Sequence, residues 1–146
     1  MTPLVVAVIF VTLVAVFVSL LVKKKPTLQA ASKATVLDKS LVQNKWSEIE
    51  QTFSLGGASH LKTSILEADK LVDHTLKAKG VKGSTFGERL KNSKSKFTNY
   101  SDYNNLWFAH KVRNNIAHES THDLSFAEAK RAIEYFKKAL QELGAL

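Results

Sequence analysis

The stretch SFAEAKRAIEYFKKALQELG, residues 125–144, decides the helical character of this chain. Its apolar residues recur every three or four positions, in the series Phe126, Ala129, Ile133, Phe136, Leu140 and Leu143. An α-helix repeats about every 3.6 residues, so this spacing places them along one face. Ser125, followed three residues later by Glu128, forms a capping box that begins the helix. The sequence therefore predicts an amphipathic final helix with its apolar face toward a core.

Earlier parts of the chain also show helical spacing, separated by glycines. Helices are predicted at about residues 36–54, begun by Thr35 and Asp38; at about 58–79; from the capping box of Thr85 and Glu88 through about Phe97; and from near Asp102 through His118. No segment alternates polar and apolar residues as a strand would. The fold class predicted is all-α, a compact bundle of four to five short helices.

The N-terminal stretch differs from the rest, because residues 3–22, PLVVAVIFVTLVAVFVSLLV, carry no charge. As a helix it spans about 30 Å, the thickness of the hydrocarbon core of a bilayer. A cleavable signal peptide is the competing interpretation, but it would begin with basic residues, whereas Lys23, Lys24 and Lys25 follow the apolar run. By the positive-inside rule these lysines flank the cytoplasmic side. We therefore expect a single-pass cell-membrane protein with its N-terminus outside, comprising a transmembrane anchor (1–22), a basic juxtamembrane linker (23–35) and a cytoplasmic helical domain (36–146).

Charge and cysteine content limit what the domain beyond the anchor can be. All 21 basic and all 13 acidic residues lie after position 22, so the net charge of +8 belongs to that part of the chain. It is long enough for one compact domain and too short for two. The absence of cysteine excludes disulfides and cysteine-ligated metals, and it agrees with a cytoplasmic location.

Residues 110–119, HKVRNNIAHE, form the most unusual stretch of the domain. The apolar spacing there predicts a helix, yet Asn114 and Asn115 stand side by side in it. Each asparagine costs a helix interior roughly 0.6 kcal/mol relative to alanine, because its amide competes for backbone hydrogen bonds. Arg113 and His118 bracket the two amides. We interpret this polar segment as one that presents side chains to a ligand.

The segment RNNIAH, residues 113–118, resembles the arginine–x4–histidine signature of HEPN domains (higher eukaryotes and prokaryotes nucleotide-binding), in which a polar residue typically follows the arginine. The surrounding TFGERL (85–90) and WFAHKVRNNIAHE (107–119) are similar to small HEPN-like bacterial proteins, and the resemblance covers about residues 36–143. It implies a helical domain with the motif near the end of its penultimate helix. In active members it also implies metal-independent RNA cleavage at a composite site in the cleft of a symmetric homodimer.

On this resemblance the expected catalytic residues are Arg113, His118 and Asn114, with RNA or a nucleotide as ligand and neither a metal nor another cofactor. The residue types suit the chemistry. Arg113 would grip the scissile phosphate, and His118, with an ordinary pKa near 6.5, would transfer a proton. Asn114 would orient the phosphate or the histidine. About 140° of helix separates Arg113 from His118, so they meet only where the helix ends or across a dimer interface.

A second interpretation of the same motif is structural, as part of a non-catalytic, membrane-tethered interaction or dimerisation module. A histidine in the last turn of a helix is favoured by the helix dipole and can bond a free carbonyl. Arg113 would then pair with Glu119 or with an acid of another helix. His110 and His122, with His118 and Asp123, suggest a metal site at first sight, but the spacing of the three histidines matches no established template, so no metal ligand is predicted.

A basic stretch precedes the motif and predicts a polyanionic partner. Tyr100, Tyr103 and Trp107 follow it and are candidates for stacking on unpaired bases. Anionic lipid headgroups would attract the same charges, so RNA and the membrane both remain open as the partner of this stretch. The residues predicted to bind nucleic acid are Lys77, Lys79, Lys82, Arg89, Lys91, Lys94, Lys96 and Lys111.

Overall fold

The computed structural model describes residues 37–118 and 123–146, which belong to one compact unit. Their elements are α1 (Lys39–Ser54), α2 (Gly57–Ala78), α3 (Phe86–Asn92), a 3₁₀ turn (Lys94–Lys96), α4 (Tyr100–His118) and α5 (Phe126–Glu142). These described residues form no β-strand, and the all-α prediction is confirmed. The predicted anchor and linker lie outside the described residues. Within the described part, no helix combines the length and the apolar character needed to cross a membrane.

The helix starts show how local sequence sets the element boundaries. Asp38 is itself the N-cap of α1, and its carboxylate accepts a hydrogen bond from the Leu41 N–H at 3.1 Å. The prediction that Thr35 caps this helix is therefore wrong, because Asp38 is the N-cap and α1 begins at Lys39. An aspartate satisfies a free N–H there and also favours the positive end of the helix dipole.

The two other predicted N-caps are confirmed. The Thr85 hydroxyl accepts from the Glu88 N–H at 3.2 Å, and the Ser125 hydroxyl accepts from the Glu128 N–H at 3.1 Å. The Glu88 carboxylate reaches back to the Ser84 N–H at 2.6 Å, one residue before the cap. The contacts of Thr85 and Glu88 fix the start of α3, whose first residues line the cavity of the candidate site.

The end of α2 is set by Gly80, whose φ of +74° is readily adopted only by glycine. In this turn the Val81 N–H donates to the Leu76 carbonyl at 3.0 Å, which satisfies a carbonyl at the helix end. The chain can then reverse over α2 and enter α3.

The core lies between α5, α4 and α2, with α1 packed on α2. The predicted apolar face of α5 is confirmed for five of its six residues, which are buried: Ala129, Ile133, Phe136, Leu140 and Leu143. Phe126 departs from the prediction, because 58% of it is exposed. As the first residue of α5 it lies at the end of the bundle, where its ring stacks on Phe53 with 5.6 Å between centroids.

Candidate functional site

Helix α4 packs its apolar face into the bundle and turns a polar face toward α2 and α3. Leu106, Ala109 and Val112 are buried, while Ile116 is half-buried nearer the end of the helix. His110, Arg113 and Asn114 share the neighbouring face, because residues three and four apart are neighbours on a helix surface. The helix runs without interruption through both asparagines to His118.

The carboxylate of Asp69, on α2, is the centre of this polar face. Only 4% of Asp69 is exposed. One of its oxygens, Oδ1, lies 2.7 Å from His110 Nδ1, and the other, Oδ2, lies 3.3 Å from Arg113 Nε. The second contact is an ion pair without hydrogen-bond alignment, since Arg113 Nε has no hydrogen-bond partner among the described residues. One buried carboxylate therefore holds two residues of the α4 motif region.

Asn114 closes these contacts into a ring of four side chains. Its Nδ2 lies 3.2 Å from His110 Nε2, and its Oδ1 accepts a hydrogen bond from Arg113 Nη1 at 3.1 Å. The ring runs from Asp69 through His110 and Asn114 to Arg113 and back to Asp69. Asn114 is thus tolerated inside a helix because its amide has a partner at each end, and these bonds offset its low helix propensity.

The donors and acceptors of the ring assign the protonation of His110. An ionised Asp69 only accepts, so the proton of the neutral imidazole lies on Nδ1. The Asn114 Oδ1 faces the arginine, which only donates, so its NH₂ group faces Nε2. Nε2 therefore accepts a hydrogen bond from Asn114 through its lone pair. Burial raises the pKa of the Asp69 carboxyl above its ordinary range, and this outweighs the hydrogen bond from His110 and the nearby charges of His110 and Arg113 that lower it.

A surface cavity of about 370 Å³ opens beside the ring. The ring residues form part of its lining, together with Lys70 of α2 and with Thr85, Phe86 and Gly87 at the start of α3. The ring of Phe86 meets the His110 imidazole edge-on, with 4.6 Å between centroids. The imidazole is therefore fixed by a hydrogen bond on one side and by an aromatic contact on another.

A second ion cluster lies one turn along α2, around Asp73. Arg89 donates to both oxygens of Asp73, at 2.5 and 3.0 Å, and also to the Gly83 carbonyl. Lys77 lies 2.8 Å from the same carboxylate. Burial raises the pKa of Asp73, but the hydrogen bonds and charges of Arg89 and Lys77 outweigh it, so the pKa of Asp73 is lowered overall.

This cluster changes the interpretation of the basic stretch. Arg89 is 6% exposed and its guanidinium is occupied by Asp73 and Gly83, so it is a structural residue and we remove it from the proposed nucleic-acid contacts. Lys77 forms an ion pair with Asp73, and Lys79 is half-buried. The remaining predicted lysines have exposed side chains: Lys82, Lys91, Lys94, Lys96 and Lys111.

The aromatic residues considered for stacking divide in the same way. Tyr103 is buried in the core and Trp107 packs half-buried against it, so neither presents a free ring face. Tyr100 is 58% exposed, and the Lys94 ammonium lies 4.7 Å from its ring centroid. Of the three, Tyr100 is the one that a ligand can reach.

His118 stands apart from the ring. It is the last residue of α4 and is exposed, one helical turn beyond Asn114. Among the described residues the structure gives it no hydrogen bond to Arg113 or Asn114. Glu119 and His122 lie outside the described residues. In residues 37–118 and 123–146 no three His, Cys, Asp or Glu side chains are grouped closely enough to hold a metal ion.

Of the predicted catalytic residues, the structure brings together Arg113 and Asn114, and it adds His110 and Asp69. The sequence does contain a signal for Asp69. This acid lies beside Ala68 on the apolar side of α2, among Ile65 and Val72, where an unpaired charge would be costly. A charged residue at such a position indicates a buried partner.

Comparisons with known proteins identify no relative. No protein-family model matches the chain, and no curated protein or solved structure shows significant similarity to it.

Proposed function

We propose that this chain is a membrane-anchored, HEPN-like domain that binds RNA or a nucleotide at Arg113 and cleaves RNA without a metal. The observation that carries the proposal is the setting of Arg113. Its guanidinium is held by Asp69 and Asn114 at the edge of an open cavity that also contains an imidazole. An arginine oriented in advance loses less side-chain entropy when it binds a phosphate.

The charges around the cavity support a phosphate ligand. The side chain of Arg113 is 29% exposed and lines the cavity, so part of it remains accessible beyond its protein contacts. Lys70 lines the same cavity, and its side chain is 64% exposed while its ammonium pairs with Glu67 at 2.7 Å. An exposed ion pair of this kind contributes little free energy, so Lys70 can exchange Glu67 for a phosphate with a small loss of stability.

In this proposal His118 acts from the exposed end of α4, where a second copy of the chain can reach it. A homodimer would place the His118 of one protomer near the Arg113 of the other. This arrangement would bring the two residues together although about 140° of helix rotation separates them within one chain. The exposed lysines that follow α2 would then guide the RNA backbone, with a salt-sensitive contribution. The anchor would hold this assembly at the cytoplasmic face of the membrane.

One observation favours a second candidate function, that of a non-catalytic interaction module. The Asp69 ring joins α2 to α4 through buried polar contacts, and such networks fix the packing of a bundle whether or not a ligand binds. In that case the motif would be a structural clamp, and replacing Arg113 would change stability rather than RNA affinity.

RNA binding distinguishes the two functions. We would measure fluorescence anisotropy of a labelled single-stranded RNA with the full chain in detergent and EDTA, over a series of salt concentrations. Arg113→Ala is expected to weaken binding about tenfold and to reduce the slope of log affinity against log salt by about 0.7, the value for one phosphate contact on a single strand.

Arg131→Ala is the matched control, because Arg131 packs over the Phe108 ring and is not part of the Asp69 ring or its cavity. It should leave both affinity and slope unchanged. Equal affinities for the wild type and Arg113→Ala, with both proteins folded by circular dichroism, would favour the interaction module.

A further inference from the structure

We infer that His110, oriented by Asp69, is a catalytic base of this site and accepts the proton of the RNA 2′-hydroxyl. This inference rests on the proposed function and deepens it, since it assigns proton abstraction to a histidine outside the arginine–x4–histidine motif. The pair consists of His110 Nδ1 and Asp69 Oδ1, 2.7 Å apart and contributed by α4 and α2.

The orientation of the imidazole is the first support. Asp69 fixes the proton on Nδ1 and would stabilise the imidazolium that forms when Nε2 takes up a proton. The edge-on contact with Phe86 prevents the ring from rotating freely. The base is thus held in one tautomer and one orientation, and its lone pair, on Nε2, accepts from the Asn114 amide, which must move aside before Nε2 can take up a substrate proton.

The surroundings of Nε2 are the second support, because Gly87 lies beside this nitrogen although His110 is only 8% exposed. A Cβ at this position would lie 3.9 Å from His110 Nε2 and 4.0 Å from Thr85 Oγ1. The backbone of Gly87 has an ordinary helical conformation, so glycine is not required there by its φ angle. The absent side chain instead leaves space beside the imidazole nitrogen that the reaction would use.

The chemical step balances with groups of this site. The 2′-hydroxyl proton passes to His110 Nε2, and the 2′-oxygen forms a bond to the adjacent phosphorus. The bond from phosphorus to the 5′-oxygen breaks, and that oxygen takes a proton from His118 or from water. The products are a 2′,3′-cyclic phosphate and a 5′-hydroxyl, and no oxidant or metal is consumed.

Protonation of His110 also changes its neighbours. A proton on Nε2 would face the NH₂ group of Asn114, which is a donor, so the amide must rotate and accept from Nε2 through its oxygen. Arg113 Nη1 then loses its acceptor on Asn114 and becomes available to the phosphate. The ring would therefore release the arginine as negative charge develops on the phosphate oxygens.

A small group of charges surrounds this base. Asp69, Lys70 and Asp73 face the cavity from α2, and Arg113 faces it from α4. The residues at the start of α3 that line the cavity, Thr85, Phe86 and Gly87, carry no charge. A general base acts in its unprotonated form, so the rate of cleavage should rise with pH.

The test measures RNA cleavage by the full chain in detergent and EDTA, as a function of pH. Gly87→Ala should keep or raise the melting temperature, because alanine favours a helix, while it lowers the cleavage rate at least tenfold by narrowing the approach to Nε2. His110→Gln should lower the rate at least a hundredfold and abolish its rise with pH. Asn104→Ala, at an exposed position of α4, is the control and should match the wild type.

Three results would overturn the inference. If Gly87→Ala and His110→Gln both cleave at the wild-type rate, the proposed function stands and His110 is not the base. If His110→Gln lowers the rate but the rise with pH persists, His110 only positions Arg113. If the wild-type chain binds RNA without cleaving it, both this inference and the enzymatic part of the proposed function fail.

Discussion

At the scale of single residues, the arrangement of this domain depends on two aspartates one turn apart on α2. Asp69 is buried against one histidine and one half-exposed arginine, whereas Asp73 is held by two hydrogen-bonding cations, Arg89 and Lys77. Desolvation raises the pKa of both carboxyls. Only at Asp73 do the neighbouring hydrogen bonds and positive charges outweigh desolvation and lower the pKa overall. Neighbouring carboxylates on one helix face thus acquire opposite properties from their surroundings.

We predict that the two carboxyls titrate on opposite sides of the ordinary aspartate value of about 3.9. Asp73 binds its proton less tightly in the folded chain, so its stabilising contribution is present above the unfolded pKa and is lost as the pH falls through the lowered folded pKa. Asp69 behaves in the opposite way, because its contribution is fully present below the unfolded pKa and is lost as the pH rises through the raised folded pKa.

Carbon-13 NMR of the carboxyl groups measures these titrations directly, with Asp69→Asn and Asp73→Asn to assign the signals. Two midpoints on the same side of the ordinary value would show that the Asp69 ring does not form in solution as described. The test needs no RNA and so examines the site independently of its function.

At the scale of elements, the two adjacent asparagines of α4 differ in their side-chain contacts. Asn114 bridges His110 and Arg113, whereas Asn115 is half-buried and makes no side-chain hydrogen bond within the described residues. Asn115→Ala should therefore stabilise the domain by roughly 0.6 kcal/mol, the gain in helix propensity. Asn114→Ala should destabilise it by about 1 kcal/mol, since two partly buried partners lose their hydrogen bonds.

Urea unfolding followed by circular dichroism at 222 nm measures both changes, and each variant serves as the control for the other. An equal gain in stability for the two variants would mean that the amide of Asn114 contributes no more than that of Asn115.

The helices of the domain could be predicted from sequence because their information is local. Apolar spacing and the caps at Thr85 and Ser125 depend on residues within one or two turns. The prediction that α3 continues to about Phe97 is wrong, because α3 ends at Asn92 and a 3₁₀ turn follows, while the other helix boundaries agree to within a few residues. The apolar spacing places Phe126 in the core, because periodicity does not show where a helix extends past the bundle.

The site was predictable only in part, for a related reason. The motif identified Arg113 and Asn114, but the partner that orients them, Asp69, lies 41 residues before His110. Pairing over that distance depends on how α2 and α4 pack, which the helical repeat does not specify. The same packing explains Arg89, which belongs to the basic stretch in sequence and to a buried ion pair in the structure.

At the scale of the whole molecule, an apolar N-terminal stretch precedes a basic helical domain with a polar ring beside a surface cavity. A membrane anchor followed by lysines would keep the domain close to an anionic surface, where a net charge of +8 is attractive to lipid and RNA alike. Charge therefore does not select the ligand. In the proposed function the chemistry of the Arg113 cavity would select it, and cleavage is the property that separates an RNA enzyme from a scaffold.

The decisive measurement is cleavage of an end-labelled single-stranded RNA by the full chain in detergent with excess EDTA. We predict that the wild type and Arg131→Ala cleave the RNA, and that Arg113→Ala and His118→Ala lose at least a hundredfold in rate. Intact RNA with the wild type, or equal cleavage by all four proteins, would contradict it.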